Sequence, residues 1–348
     1  MQTLRLGKTG LQVTVSGFGT LPIQRIPLED AVRILLRAAE GGINFIDTAN
    51  AYSDSEEKIG AFGKALGKAA YDELIIATKS GATDAETLNK HIDTSLKRLG
   101  RDALDLLQLH NAAVLPERDD PLYRALEDAQ KAGKVRFIGI TQHRLEPARQ
   151  AVASDMYDTM QFPLSCLSSD EDLALSALCK MHDVGLIAMK AMAGGLLPSA
   201  ALSMAFLRPY GNIVPIWGVQ RMEEIEEVLQ LEANPPALDE AMKARIVRER
   251  ENLQGNFCRG CGYCLPCPVG IPLQNVARMP QLIRRAPWQQ FFGDFAQEIL
   301  RVEDCIHCDA CKKRCPYSLD TPALAAAALQ DWRAVGREKG IEESTLHR

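Results

Sequence analysis

Eight of the ten cysteines are grouped in two short runs towards the end of the chain. The first run consists of Cys258, Cys261, Cys264 and Cys267, and the second consists of Cys305, Cys308, Cys311 and Cys315. Each run ends in a Cys-Pro pair. Thiolates three residues apart can wrap round one iron–sulfur cubane, and a fourth thiolate just before a proline reaches a neighbouring cubane. The spacing therefore predicts two [4Fe–4S] clusters.

The same spacing predicts which thiolates share a cluster. Cys315 is expected to complete the cluster of Cys258, Cys261 and Cys264, and Cys267 to complete the cluster of Cys305, Cys308 and Cys311. The first run is one residue shorter than usual before its last cysteine. Structural zinc is the alternative, but a zinc ribbon uses two Cys-x-x-Cys pairs for each metal, and these runs crowd more sulfurs into one loop. Cys166 and Cys179 are expected to be small buried residues.

Four polar side chains further upstream could carry acid–base chemistry. They are Asp47, Tyr52, Lys79 and His110. A carbonyl that accepts hydride becomes an alkoxide and needs a proton donor, and a free tyrosine with a pKa of about 10 is a poor one at neutral pH. A nearby ammonium group lowers that pKa, and a carboxylate keeps the ammonium group charged. A histidine can hydrogen-bond the substrate oxygen.

Alternating strands and helices are expected to position these residues. Strands are predicted near Ser16–Thr20 and at Ile43–Asp47, Leu74–Lys79, Leu104–His110, Val135–Ile140, Thr159–Phe162, Gly185–Lys190 and Ile213–Trp217. Helices are predicted at Leu28–Glu40, Ser55–Leu66, Thr87–Leu99, Pro121–Ala132, Leu145–Ser154, Asp170–His182, Ser199–Leu207 and Met222–Leu231. Eight β/α units predict a (β/α)8 barrel of the α/β class, whose chemistry lies at the C-terminal ends of its strands. A doubly wound open sheet is the alternative, but no Gly-x-Gly-x-x-Gly follows the first strand.

Elements outside the barrel are also predicted. Thr3–Leu6 and Val13–Val15 flank Gly-Lys-Thr-Gly and are expected to form a hairpin across the barrel bottom. The expected domains are a barrel over residues 1–235, a connecting helix over 236–254, a two-cluster domain over 255–320 and a helical tail over 321–348. Helices are predicted at Leu238–Leu253, in the spacer at Gln290–Val302, and in the tail from Thr321 to Lys339.

The barrel half resembles the aldo-keto reductases. The resemblance lies in the segment Asp47-Thr-Ala-x-x-Tyr52-x-x-Ser-Glu, in Lys79 on the third strand and in Leu-His110-Asn on the fourth. With the cysteine-rich half, the chain resembles the members that carry a 4Fe–4S ferredoxin domain, of the α-helical type. The resemblance implies that Tyr52 is the proton donor, that Lys79 and Asp47 tune it, and that His110 orients the substrate.

The resemblance also implies a nicotinamide nucleotide across the barrel mouth. The matching positions are Gly19, Thr20, Thr141, Gln142, Gln161, Lys190, Gly194, Gly195, Gly218, Val219 and Gln220. Members specific for NADP(H) place basic residues where this chain has Gly218, Val219 and Glu224. The acidic start of the following helix repels a 2′-phosphate and favours NAD(H) over NADP(H), with Arg221 as the basic substitute. FMN at the mouth is a further alternative, since hydride carries two electrons and each cluster passes one.

Bulk composition narrows the function classes. The formal net charge of −5 gives no basic field for nucleic acid or anionic membranes. No apolar leader and no spanning segment are visible, so a cytoplasmic protein is expected. The expected activity is reduction of a small-molecule carbonyl, or oxidation of an alcohol, coupled to the clusters. The alternatives are an electron-transfer or docking subunit for a redox partner protein, and clusters with only a structural role.

Overall fold

Eight parallel strands form the centre of the first half of the chain. They are β3 (Gly17–Gly19), β4 (Phe45–Asp47), β5 (Ile75–Ser80), β6 (Leu104–His110), β7 (Val135–Thr141), β8 (Thr159–Pro163), β9 (Gly185–Met189) and β10 (Ile213–Gly218). They close into a barrel in the order β10-β3-β4-β5-β6-β7-β8-β9. The predicted barrel is confirmed, and the open doubly wound sheet was the wrong alternative.

The computed structural model describes residues 1–197, 199–252, 257–258, 260, 262, 264–284, 288–293, 295–315, 317–342 and 344. Contacts divide the chain into two compact units. The first comprises Met1–Met192 and Ser199–Ile246, and the second comprises Ala193–Pro198 and Val247–Arg348.

Helices surround the barrel of the first unit. They are α1 (Leu28–Glu40), α2 (Ser55–Leu66), α3 (Lys68–Asp72), α4 (Ala85–Leu99), α5 (Pro121–Lys131), α6 (Leu145–Ala153), α7 (Asp170–Leu173), α8 (Leu175–Met181), α9 (Ala200–Leu207) and α10 (Met222–Ala233). Side-chain oxygens of Asp84, Asp120 and Ser199 cap the N-termini of α4, α5 and α9, which satisfies backbone N–H groups that have no partner inside a helix. The helix predicted at Asp170–His182 is divided at Ala174, whose carbonyl accepts from the N–H groups of both Ala177 and Leu178.

A hairpin closes the N-terminal end of the barrel. Strands β1 (Thr3–Arg5) and β2 (Gln12–Thr14) pair antiparallel, as predicted. Leu6, Leu11 and Val13 form one buried cluster with Phe45 and Ile75, the first residues of β4 and β5. This apolar layer fills the barrel bottom and leaves the opposite end, where the strands finish, for polar side chains.

Helices, most of them short, make up the second unit. The helices that follow the barrel in the chain are α11 (Glu240–Asn252), α12 (Leu273–Val276), α13 (Met279–Leu282), α14 (Phe295–Leu300), α15 (Ala310–Lys313) and α16 (Thr321–Glu338). The predicted spacer helix was too long, since α14 begins only after Gly293, a residue type that disfavours helix. Trp332 of α16 is fully buried and donates from Nε1 to the Phe291 carbonyl at 2.8 Å. Ala325, Ala328 and Leu329 lie in the same apolar cluster, so the last helix is part of this unit's core. No helix in the described part of the chain is long and apolar enough to cross a membrane.

Candidate active site and cluster ligands

The four predicted acid–base residues meet at the C-terminal end of the barrel. Asp47 and His110 are the last residues of β4 and β6, Lys79 lies near the end of β5, and Tyr52 follows β4 in a loop. Lys79 Nζ lies 2.6 Å from Asp47 Oδ1 and 5.2 Å from the centroid of the Tyr52 ring. The Tyr52 and His110 rings meet edge to face with centroids 5.7 Å apart. The structure therefore brings all four side chains into one site.

Burial controls the charge state of this site. Burial raises the pKa of the Tyr52 phenol, and the Lys79 ammonium group only partly offsets that effect. Burial likewise raises the pKa of Asp47 against the opposing charge of Lys79. The pKa of His110 is lowered to about 3, first by burial and then by the positive charge of Lys79. The Tyr52 phenol and the His110 ring are thus both neutral at neutral pH.

A chain of hydroxyl groups fixes the backbone between Asp47 and Tyr52. The Thr20 hydroxyl donates to the Asp47 carbonyl at 2.9 Å and accepts from Ser55 Oγ at 2.8 Å. Ser55 also meets the Thr48 hydroxyl at 2.9 Å, and the Thr48 carbonyl accepts from Lys79 Nζ at 2.5 Å. The side chain of Thr20, predicted to bind a cofactor, therefore holds the loop between Asp47 and Tyr52 in place.

A buried amide that was not among the predicted site residues also reaches Asp47. Gln108 Nε2 donates to Gln161 Oε1 at 2.8 Å and lies 3.4 Å from Asp47 Oδ2. Gln161 Nε2 lies 3.4 Å from Asp47 Oδ1. Gln161, predicted to contact the nicotinamide nucleotide, thus belongs to the hydrogen-bond network of Asp47. A polar residue inside an otherwise apolar strand was the signal that could have revealed Gln108.

Two neighbouring residues at the end of β7 fit a polar ligand. Thr141 is the last residue of the strand, and Gln142 follows it with its Nε2 donating to the Ala112 carbonyl at 2.9 Å. Within the described residues, the buried Thr141 Oγ1 and Gln142 Oε1 have no hydrogen-bond partner. Buried polar oxygens normally have partners, so these two atoms fit a group that brings its own donors, such as a carboxamide. His143 meets Asn111 Oδ1 at 3.3 Å from Nδ1.

The residues predicted to bind the nucleotide after β9 differ in their placement. Lys190 directly follows β9 and is half-buried, with a left-handed φ of 58°. Gly194 and Gly195 have positive φ values of 67° and 90° and are exposed. They lie in the segment that groups with the second unit, where the Gly194 carbonyl accepts from Arg278.

The start of α10 is already occupied by a side chain of this chain. Glu224 Oε2 accepts from the backbone N–H groups of Gln220 at 2.9 Å and Arg221 at 3.1 Å. The Arg221 guanidinium pairs with Glu224 Oε1 at 2.7 Å. The start of this helix therefore carries a carboxylate, and Arg221 is paired with it. Gly218 is exposed and Gly19 is buried in β3. The Val219 side chain lies in the hydrophobic core, so Val219 can contact a ligand only through its backbone.

Three cysteines of the second run and the last cysteine of the first run border a cavity in the second unit. The cavity has a volume of about 290 Å³, and its lining includes Cys267, Cys305, Cys308 and Cys311. These are the four thiols predicted to share one cluster. The donor set and the size of the cavity fit a cubane. Within the described residues, no group of three or more Cys, His, Asp or Glu side chains converges on a point as single-ion ligands do.

Backbone donors approach the thiols of the other predicted set. The Gly260 N–H lies 3.3 Å from Cys258 Sγ, and the Leu319 N–H lies 3.4 Å from Cys315 Sγ. Hydrogen bonds to sulfur are one means by which proteins tune cluster potentials. Cys258 and Cys264 are buried, whereas Cys308 is exposed. Cys261 lies outside the described residues. Cys166 and Cys179 are buried, as predicted.

Comparison with known families assigns the barrel half and the cysteine-rich half to two different families. Residues 15–209 match the aldo/keto reductase family. Residues 257–320 match a 4Fe-4S dicluster domain.

Named relatives match the barrel half. An L-galactose dehydrogenase from Arabidopsis thaliana is 35% identical over 210 residues, covering 55% of this chain and 66% of the relative. A 6-dehydroglucose reductase from Novosphingobium aromaticivorans is 34% identical over 154 residues, covering 39% of this chain and 50% of the relative. The chain thus spans less than two thirds of the length of either relative.

Solved structures share the fold. The holo form of aldo-keto reductase AKR11C1 from Bacillus halodurans superposes with a TM-score of 0.63 at 20% identity, covering 72% of this chain and 96% of that chain. An aldo-keto reductase from Pseudomonas, described as "Putative aldo-keto reductase from Pseudomona aeruginosa", superposes with a TM-score of 0.57 at 23% identity, covering 66% of this chain and 94% of that chain.

Proposed function

This chain is an oxidoreductase of the aldo/keto reductase family that carries a 4Fe-4S dicluster domain, and on that premise we propose that it reduces a small carbonyl compound, or oxidises the matching alcohol, with Tyr52 as the proton carrier. The observation that carries the proposal is the convergence of the buried Lys79–Asp47 ion pair, the Tyr52 phenol and the His110 ring at one end of the barrel.

Each of the four residues has a distinct part in the proposed reaction. His110, neutral because burial lowers its pKa, hydrogen-bonds the carbonyl oxygen and orients it. Tyr52 gives its proton to that oxygen as charge develops there, and it takes the proton back when the alcohol is oxidised. Lys79 stabilises the phenolate that forms, and Asp47 pairs with Lys79 and holds it in its buried place.

A nicotinamide nucleotide, which donates or accepts hydride at the substrate carbon, fits the polar residues at the end of β7. Thr141 Oγ1 and Gln142 Oε1 would accept from its carboxamide, because both are buried without a partner in the described part of the chain. The Glu224 carboxylate at the start of α10 repels a 2′-phosphate, so NAD(H) is favoured over NADP(H).

Two [4Fe–4S] clusters, which pass single electrons when bound, are proposed for the second unit. Cys305, Cys308, Cys311 and Cys267 would hold one cluster, and the cavity that they border supports that set. Cys258, Cys261, Cys264 and Cys315 would hold the other. Thiol-to-cluster assignment across the two runs is the typical arrangement in two-cluster ferredoxins.

The proton-carrier role is tested by replacing Tyr52 with phenylalanine. Loss of the hydroxyl is expected to lower kcat by about 10²–10⁴-fold and to leave the iron content and the affinity for NADH unchanged. L-galactose and 6-dehydroglucose are suitable first substrates, because two relatives are named for these compounds. Retention of full turnover by Tyr52→Phe, with the iron content intact, would refute the acid–base role.

Anaerobic purification decides between the cofactor alternatives. Iron and acid-labile sulfide in equal amounts support the clusters, whereas zinc without sulfide supports a structural metal. Bound FMN would identify the barrel as a converter between two-electron and one-electron chemistry. A protein that holds clusters but binds neither NADH nor flavin would instead be an electron-transfer or docking subunit.

A further inference from the structure

A ring of hydrogen bonds lies beneath the proposed active site. Gln108 occupies β6 two residues before His110 and is fully buried. Its Nε2 atom lies 2.8 Å from Gln161 Oε1 and 3.4 Å from Asp47 Oδ2. Gln161 Nε2 lies 3.4 Å from the other Asp47 oxygen, Oδ1. The three side chains therefore close on one another, and Lys79 donates to Oδ1 of the same carboxylate.

The chemistry of the carboxylate fixes the orientation of both amides. An ionised carboxylate only accepts hydrogen bonds, so each amide must present its NH₂ group to Asp47. With Gln161 turned in that way, its oxygen faces Gln108, which has a second N–H to donate. These hydrogen bonds to Asp47 can therefore form in only one orientation of the two amides. A protonated Asp47 would place an O–H donor where the amide N–H groups need an acceptor.

The sheet provides space for the Gln108 side chain, but burial of its amide carries an energetic cost. Gly139 lies opposite Gln108 in the sheet, and a Cβ atom there would lie 3.0 Å from Gln108 Cγ and 2.2 Å from Thr159 Oγ1. Within the described residues, Gln108 Oε1 has no hydrogen-bond partner. An apolar side chain at position 108 would avoid an unpaired buried oxygen. The advantage of glutamine here therefore lies in its two N–H donors.

We propose that Gln108 is a positioning residue, which holds the Asp47 carboxylate ionised and facing Lys79, directly and through Gln161. Its effect on turnover rests on the proposed role of Tyr52, whereas its effect on Asp47 does not. Without the two N–H donors of Gln108, the buried carboxylate binds a proton more readily. A protonated Asp47 no longer forms an ion pair with Lys79, and an ammonium group held less firmly beside Tyr52 lowers the pKa of the phenol less.

The experiment uses Gln108→Leu and Gln108→Met in the full-length protein. Ser176→Ala is the matched control, because it removes a buried hydrogen bond to Asn212 away from Asp47. Infrared spectra of protein labelled with ¹³C-aspartate, assigned with Asp47→Asn, follow the protonation of Asp47 against pH. The pKa of Asp47 is expected to rise by about one unit in both Gln108 variants and to stay unchanged in the control.

The pH profile of carbonyl reduction is measured on the same proteins. Its alkaline limb is expected to move to higher pH by about one unit in the Gln108 variants. Unchanged infrared titration of Asp47 in folded Gln108→Leu or Gln108→Met overturns the inference. A shifted Asp47 titration with an unmoved pH profile supports the positioning role and counts against the proposed role of the Lys79–Tyr52 pair in turnover, so the two failures are distinguishable.

Discussion

At the residue scale, burial shifts the pKa values of Asp47, Tyr52 and His110 more than the neighbouring charges do. The sequence supplies a lysine next to a tyrosine and predicts a lowered pKa for the phenol. In the folded protein, burial of Tyr52 outweighs that effect and raises its pKa. The degree of burial depends on the packing of the whole barrel mouth, which residue types and spacing do not specify.

The buried His110 makes folding stability depend on pH. An unfolded histidine has a pKa of about 6.5, whereas the pKa of His110 in the folded protein is about 3. Below about pH 6.5, this histidine binds a proton in the unfolded chain but not in the folded protein. The free energy of unfolding therefore falls as pH falls, by up to about 1.4 kcal/mol per pH unit for this group. His110→Gln is expected to remove that part of the slope, measured by urea unfolding at pH values from about 7 down to about 4.

His182→Gln is the control for this prediction, because His182 lies outside the buried mouth, beside Asp155. His143, whose pKa burial also lowers, remains in both proteins, so the comparison isolates His110. Equal pH slopes for His110→Gln and the wild type would show that His110 carries a proton in the folded protein.

At the element scale, strand ends were predicted well and the contacts inside the barrel were not. The polar residues that terminate apolar strands, such as Asp47 and His110, are visible because a strand end and a change of polarity coincide. Gln108 lies within a Leu-Leu-Gln-Leu run, and alternation along the strand places it on the same face as His110. The space at Gly139 that admits its side chain depends on the register with β7. Glu224 was expected near the nucleotide, but its capping bonds to Gln220 and Arg221 depend on backbone geometry.

The cap of α10 predicts how nucleotide preference can be changed. Glu224→Gln removes the negative charge from the helix N-terminus and frees Arg221, which now pairs with Glu224 at 2.7 Å. A phosphate group is favoured at such a helix start. The ratio of NADP(H) affinity to NAD(H) affinity is therefore expected to rise by roughly tenfold, measured by fluorescence titration with the two reduced nucleotides.

Glu223→Gln is the matched control for charge alone, because Glu223 is exposed in the same turn. An equal change of the affinity ratio in both variants would mean that general charge, and not the cap, sets the preference. An unchanged affinity ratio in both variants would mean that the ribose 2′-hydroxyl of the bound nucleotide lies away from this helix.

At the scale of the whole molecule, the sequence predicts the fold of the barrel half in more detail than the fold of the cysteine-rich half. The barrel follows from a repeated strand–helix alternation, so its order and closure were predicted from sequence. Apart from α16, the second unit has short helices, and its core depends on single side chains such as Trp332 and Leu329 from α16. Their contacts join segments far apart in the chain, which local patterns do not reveal.

The exchange of the fourth cysteines between the two runs is a prediction about how the second unit is held together. If Cys315 serves the first cluster and Cys267 the second, each cluster ties the two runs to each other. Cys315→Ser is then expected to alter the same electron paramagnetic resonance signal as Cys258→Ser, and Cys267→Ser the same signal as Cys308→Ser. Each variant should lose about half of its iron, because one of two four-iron clusters is affected.

Cys179→Ser is the control, since Cys179 is a buried thiol in α8 whose pKa burial raises to about 12, and both signals should persist. Pairing of Cys315→Ser with Cys308→Ser in the spectra would mean that each run binds its own cluster. The cavity bordered by Cys267 together with three thiols of the second run argues against that result. Because the exchanged ligands would link segments about forty residues apart, removing either one is also expected to lower the unfolding temperature of the second unit more than the control does.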